Sequence, residues 1–223
     1  PRSSGTRLAR RDEGEKLVFV TEEQRRQTGC PAHGAMLIQR GQATSPSLPP
    51  PRYNSPMSHV AHHSASPATT RCFVLTISDT RTEATDTGGR AIVDLLTKHG
   101  HEVLGKTIVP DEPDRIRNAV DTRLADPDVE AVITTGGTGI SPRDTTYEIV
   151  NRLIEKRIDG FGELFRLLSY EEIGPAAMLS RACAGLARGT ILISVPGSEN
   201  AVRLAMTKLI LPELGHLVHE ATK

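Results

Sequence analysis

The sequence predicts an α/β protein, a three-layer sandwich with a mostly parallel central sheet. Three observations carry this. Residues 72–77 (Cys72, Phe73, Val74, Leu75, Thr76, Ile77) form a near-continuous apolar run, as expected of a strand buried on both faces. From there to the C-terminus strand-like and helix-like segments alternate. A glycine-rich turn, Thr134-Thr135-Gly136-Gly137-Thr138-Gly139, lies at the carboxyl end of a predicted strand, where open α/β sheets bind ligands.

Each element follows in order. After the first strand comes a polar loop, residues 78–87, in which Asp86 or Thr87 caps a helix that turns Ile92, Leu95, Leu96 and the His99 side inward and stops at Gly100. Residues 102–109 make the second strand and end in Pro110-Asp111-Glu112-Pro113. Pro113 suits a first helical turn, and Ile116, Val120 and Leu124 recur at four-residue spacing until Asp126 and Pro127. Residues 129–134 form a third strand and 190–195 a fourth, with helices at 145–156 and 162–170 between them. The last helix starts at Ser198 and packs Val202, Ala205, Met206, Leu209 and Ile210 inward; Pro212 bends or restarts it, and Leu214, Leu217 and Val218 continue the stripe.

Residues 71–223 hold enough Val, Ile, Leu and Ala for one core. Residues 1–70 follow neither apolar period and mix Arg-rich with Ser/Pro-rich pieces, such as residues 45–52. They read as a disordered extension that cannot offset its ordering entropy, with Leu17-Val18-Phe19-Val20 as a transient strand. The chain starts at Pro1, whereas Met57 opens a short polar lead into the first strand. Met57 is therefore expected to be the natural start, with residues 1–56 upstream sequence of no functional weight.

Composition narrows the function classes. Lys+Arg and Asp+Glu both total 27, so no global field draws the chain to nucleic acid or anionic membrane. Aromatics are 3% and Trp is absent, which leaves few stacking platforms for bases. Cys30, Cys72 and Cys183 lie too far apart for a disulfide framework or zinc spacing, which suits a reducing cytoplasm. No apolar stretch reaches the roughly 18 residues of a membrane span. A cytoplasmic protein with neither nucleic acid nor membrane as partner is expected. His99/His101 and His216/His219 read as surface histidines, and Cys183 as a small buried residue.

The glycine-rich loop reads equally as an anion cradle built of backbone N–H and Thr hydroxyl donors or as a bare tight turn. It is neither a P-loop nor a GxGxxG fingerprint. Positive charge for a phosphate would come from Arg143, which alone reads as a solvated loop arginine. Asp111 and Asp144 both sit in strand-to-helix loops that a parallel sheet gathers on one edge, where two carboxylates suit Mg²⁺ shared with phosphates. By spacing alone, each is a turn or capping residue. Ser78-Asp79 and Pro196-Gly197-Ser198 close two further strands on that edge, with Ser198 doubling as a helix cap.

Six motifs now stand in a familiar order: Thr76 to Asp79, Val109 to Glu112, Thr134 to Gly139 with Arg143-Asp144, Asp159 to Glu163, Leu179 to Arg181, and Val195 to Ser198. Across residues 72–215 the chain resembles the MoaB/MogA family of molybdenum cofactor biosynthesis, a Rossmann-like, molybdopterin-binding fold. The stretch from Arg166 to Gly174 looks closer to the MoaB branch. The resemblance implies adenylylation of molybdopterin by Mg²⁺ and ATP, with release of pyrophosphate. It implies catalytic roles for Asp111 and Asp144, which would also hold the Mg²⁺ that ATP brings. Thr135, Gly136, Gly137, Thr138 and Gly139 would bind the pterin or its phosphate, with Arg143, Ser78, Asp79, Gly162, Glu163, Pro196, Gly197 and Ser198 as further pocket residues. It also implies a homotrimer or homohexamer and contact with other proteins of the pathway. Two other functions fit the same residues: a non-catalytic molybdopterin carrier, and a CinA-like nucleotide pyrophosphatase. The CinA-like type usually carries a further C-terminal domain.

Overall fold

Strand β1 (Arg71–Ile77) shows why the first apolar run lacks alternation. Cys72 and Val74 point into one core, with Ala91, Ile92 and Leu96, while Phe73, Leu75 and Ile77 point into a second, with Ile116 and Val120. A strand between two cores needs apolar side chains at both parities. The computed structural model describes residues 67 and 69–223. The proline-rich run, the Leu17 to Val20 patch, Cys30 and Met57 lie outside the described residues.

The remaining elements are α1 (Thr87–Lys98), β2 (Glu102–Val109), α2 (Pro113–Leu124), β3 (Ala131–Thr135), α3 (Thr146–Leu153), β4 (Lys156–Arg157), α4 (Asp159–Ile173), a 3-10 segment (Gly174–Leu179), β5 (Cys183–Ala187), β6 (Thr190–Val195), α5 (Glu199–Ala205), a π turn (Met206–Ile210) and α6 (Leu211–Ala221). The sheet runs β2-β1-β3-β6-β5-β4. β2, β1, β3 and β6 are parallel, whereas β5 runs antiparallel to both β6 and β4. Helices α1, α4, α5 and α6 cover one face, and α2 and α3 the other. This is the three-layer α/β sandwich the sequence predicts.

The caps explain where helices begin. Asp86 caps α1 by accepting from Gly89 N–H at 2.8 Å, and Ser198 caps α5 by accepting from Ala201 N–H at 3.3 Å. Pro113 opens α2, where its missing N–H leaves no bond unmade.

Several local expectations are corrected. Cys183 is buried, as expected, and it opens strand β5, an element the sequence reading did not assign. Its Ala, Cys and Gly residues hide it from a β-propensity reading. At Gly185 the reason is close approach: a Cβ there would fall 2.3 Å from Ile154 Cγ2 and 2.4 Å from Lys156 O. The helix expected at 145–156 stops at Leu153, because Lys156 and Arg157 join β5 as an edge strand. The helix expected at 162–170 runs from Asp159 to Ile173. The final stripe continues through a π turn before Pro212 enters the first turn of α6, so proline restarts the helix. His99 is exposed, its Nδ1 2.8 Å from Leu95 O. Among the described residues no helix is long and apolar enough to cross a membrane.

Candidate active site

Four parallel strands end on one edge of the sheet, and the loops that leave them enclose a cleft of about 530 Å³. Residues 76–81 come from β1, Asp111 from the end of β2, Thr135 to Gly139 from β3, and Pro196 and Gly197 from β6. Because β1 lies between β2 and β3, the loops after β1 and β3 lead to helices on opposite faces and part to leave a crevice.

The glycine loop is shaped by contacts that exclude side chains. Gly136 (φ 98°) and Gly137 (φ 61°) are left-handed. A Cβ on Gly136 would stand 2.2 Å from Ile77 O; one on Gly137 would stand 2.1 Å from Thr146 Oγ1 and 3.0 Å from both Asp111 carboxylate oxygens. Gly136 N–H donates to Val195 O (3.2 Å), Thr146 N–H to Gly137 O (3.0 Å) and the Thr135 hydroxyl to Pro196 O (3.0 Å). These bonds tie the loop to β6 and to the start of α3. The N–H groups of Gly137, Thr138 and Gly139 donate to no acceptor among the described residues, which leaves them free for an anionic ligand.

Three carboxylates border the loop. Asp79 accepts from Asp111 N–H at 2.9 Å and from Arg143 Nη2 at 2.6 Å. Asp144 accepts from Ser141 N–H at 3.0 Å, and its Oδ2 would lie 2.6 Å from a Cβ on Gly139. Burial raises the Asp111 pKa above the ordinary carboxylate value, and the charges of Asp144 and Asp79 push it the same way; Arg143 and the Thr145 N–H pull it back only in part. Asp111 Oδ1 is buried with no hydrogen-bond partner. An orphaned carboxylate oxygen beside two more acids suits a divalent cation shared with phosphate oxygens. It does not suit a self-contained cage, since among the described residues no three His, Cys, Asp or Glu side chains form one.

Comparison with known proteins fits this geometry. Residues 73–216 match the family described as a probable molybdopterin binding domain. The chain belongs to this family. It is 49% identical over 168 residues to molybdenum cofactor biosynthesis protein B of Halalkalibacterium halodurans, covering 75% of this chain and 99% of that protein. The Bacillus subtilis protein of the same name is 46% identical over the same length, with the same shares of each chain. Among solved structures, a crystal structure of molybdenum cofactor biosynthesis protein B superimposes with a TM-score of 0.68 at 51% identity, covering 70% of this chain and 98% of that one. The tungsten cofactor synthesizing protein MoaB from Pyrococcus furiosus gives 0.61 at 36% identity, with coverage of 71% and 100%.

In this molybdopterin-binding domain, Ser78, Asp79, Asp111, Thr135, Gly136, Gly137, Thr138, Gly139, Asp144, Pro196 and Gly197 all line the cleft. Arg143 does not line it; its side chain is 65% exposed and engaged with Asp79. Ser198 sits just behind, as the cap of α5. Gly162 and Glu163 lie on α4, outside the lining. Gly162 is glycine because a Cβ would meet Ala182 O at 2.7 Å, while Glu163 is exposed.

Sequence reasoning did not place Asp86 in the site, where it lines the cleft floor with Thr76. Asp86 is 2% exposed and accepts from the Thr76 hydroxyl (2.9 Å), Gly89 N–H and Lys106 Nζ (2.9 Å). Burial would raise its pKa, but these three donors outweigh burial and hold it below the ordinary value. The available signal was the Asp86-Thr87-Gly88-Gly89 run, which reads as a cap alone. Leu179 and Ser180 also line the cleft, from the end of the 3-10 segment.

Proposed function

We propose that this chain acts in molybdenum cofactor biosynthesis as an adenylyltransferase, joining molybdopterin to the AMP moiety of ATP. The observation that carries the reading is the meeting of Asp111 Oδ1, buried and unpartnered, with the open N–H groups of the glycine loop. Groups suited to a cation and groups suited to an anion thus lie side by side in the cleft, as phosphoryl chemistry requires.

In the reaction a phosphate oxygen of molybdopterin attacks the α-phosphorus of ATP. The bond from that phosphorus to the β-bridging oxygen breaks, and pyrophosphate leaves with the electron pair. The chain supplies no nucleophile, so its contribution is positioning and charge balance. Asp111 and Asp144 would hold the Mg²⁺ that arrives with ATP, which would supply positive charge against the phosphates. Residues Thr135 to Gly139 frame the pterin phosphate, which the open backbone N–H groups of Gly137, Thr138 and Gly139 hold, with Ser78, Pro196 and Gly197 as neighbouring walls. Asp79 holds Arg143 and Asp111 N–H in place.

Incubation of the protein with molybdopterin, ATP and Mg²⁺ tests this, with pyrophosphate and adenylylated pterin as readouts. Asp144→Asn is expected to lower turnover by 100-fold or more, about 2.7 kcal/mol, while pterin still binds. Tight pterin binding by wild-type protein without pyrophosphate release would refute the enzyme and leave a carrier. The chain works in the cytoplasm as a homotrimer or homohexamer in this reading, alongside other proteins of the pathway. In support, Leu164, Leu167, Tyr170 and Ile173 leave an apolar face of α4 exposed. A monomer in light scattering would count against assembly.

A further inference from the structure

Arg181 lies just before β5, next to Leu179 and Ser180 of the cleft wall, and is not itself a lining residue of the cleft. Its Nε donates to Thr138 O at 2.8 Å, and its Nη2 donates to Gly139 O. Its Nη1 donates to Glu148 Oε1, and Nη2 lies 3.4 Å from Glu148 Oε2. The guanidinium also stacks on Tyr147 at 4.9 Å from the ring centre. Burial alone would raise the Glu148 pKa, but the bonds from Arg181 hold it below the ordinary carboxylate value, so the pair stays ionised at neutral pH.

A trans peptide unit points its C=O and its N–H in opposite directions. A donor that captures Thr138 O and Gly139 O therefore turns the N–H groups of Gly139 and Ile140 away from the guanidinium. Gly139 itself lines the cleft. Gly136 N–H and Gly137 O are already bonded to β6 and to the start of α3, so the Arg181 clamp acts on the second half of the loop, where it holds Thr138 O and Gly139 O.

We propose that Arg181 is a positioning residue for anion binding: anchored by Glu148 and Tyr147, it orients the peptide planes of Thr138 to Ile140 so that their N–H groups face a phosphate in the cleft. The inference rests on the reading of this loop as an anion site, but not on adenylyl transfer. Arginine is required because its planar fork reaches two carbonyls and a carboxylate together, whereas an ammonium is a compact point charge.

Inorganic pyrophosphate serves as the probe, titrated into full-length ¹⁵N-labelled protein and followed by amide resonances. In the wild type the Gly137, Thr138, Gly139 and Ile140 amides are expected to shift. In Arg181→Lys, which keeps the charge, the Kd is expected to rise at least tenfold with the amide pattern of the core strands unchanged. Glu148→Ala, which removes only the anchor, is expected to weaken pyrophosphate binding in the same direction, and the double variant to lose little more than Arg181→Lys alone, as residues acting through one contact do. Unshifted loop amides in the wild type, or equal Kd values in wild type and both single variants, would overturn the assignment. Absent adenylyl transfer with this pattern intact would refute the proposed enzyme and leave Arg181 in its role.

Discussion

Alanine at Gly137, set against alanine at Gly100, isolates how tightly the site is built. Both glycines are left-handed, at φ 61° and 82°. A β-carbon in that conformation costs roughly 1–2 kcal/mol, offset by roughly 0.4–1 kcal/mol from the stiffer unfolded chain. At Gly100 nothing lies within 4 Å of the new Cβ, so the net loss there is about 1 kcal/mol. At Gly137 the Cβ falls 2.1 Å from Thr146 Oγ1 and 3.0 Å from both Asp111 carboxylate oxygens. Thr146 is fully buried at the start of α3 and cannot swing into solvent, so overpacking adds roughly 1–3 kcal/mol. Gly137→Ala is thus expected to lose about 2–4 kcal/mol in urea denaturation. At roughly 2–4 °C per kcal/mol this is a Tm drop of roughly 4–16 °C, against roughly 2–4 °C for Gly100→Ala. Displacement of Asp111 should also weaken nucleotide and pterin binding in Gly137→Ala only. Equal losses for the two variants would refute the argument that the loop closes on α3 and Asp111.

Three further outcomes follow from the electrostatics. The folded state raises the Asp111 pKa, so its contribution to stability is full below the unfolded value near 3.8 and is lost as pH rises through the folded value. Asp111→Asn should therefore equal wild type in Tm near pH 3.5 and exceed it by roughly 1–4 °C at pH 7, while turnover falls 100-fold or more; a lower Tm at pH 7 would contradict the repulsion described. Lys106 bridges Asp86 at 2.9 Å and Glu83 at 2.8 Å, so Lys106→Met strands a buried carboxylate at a cost of about 2–4 kcal/mol, less than a fully buried pair because Glu83 is exposed. The lowered Asp86 pKa gives stability that is present above pH 3.8 and lost as pH falls through the folded value, so the deficit of Lys106→Met should shrink in acid denaturation curves. Burial pushes the Cys72 thiol up to about 12 and that of Cys183 to about 11. Peptide mapping after brief alkylation at pH 8 should find both unmodified until the protein is unfolded; rapid native labelling of either would show that its strand opens.

The reading from sequence succeeded where chemistry is local. Asp86, Pro113 and Ser198 start helices at the expected places because a cap or a fixed φ acts within four residues. The cleft was also legible in outline, since Gly136 and Gly137 announce left-handed turns at a strand end. What escaped depends on neighbours distant in the chain. Strand β5 carries no β-branched residue, and only the approach of Ile154 and Lys156 explains the glycine at 185. Arg181 and Glu148 meet across 33 residues, and no spacing rule relates them.

The sequence by itself determined the two-sided core strands, the parallel α/β architecture, the glycine loop and its family pattern, because apolar period and turn chemistry are properties of short segments. Only the tertiary structure decided that β5 alone reverses direction, that Gly162 serves helix packing beside Ala182, and that Asp111 keeps an unpartnered buried oxygen. Those facts are set by which distant atoms come within a few ångströms. Burial and charge at Asp111, unlike its position in a loop, exist only once β1, β2 and β3 have brought their ends together.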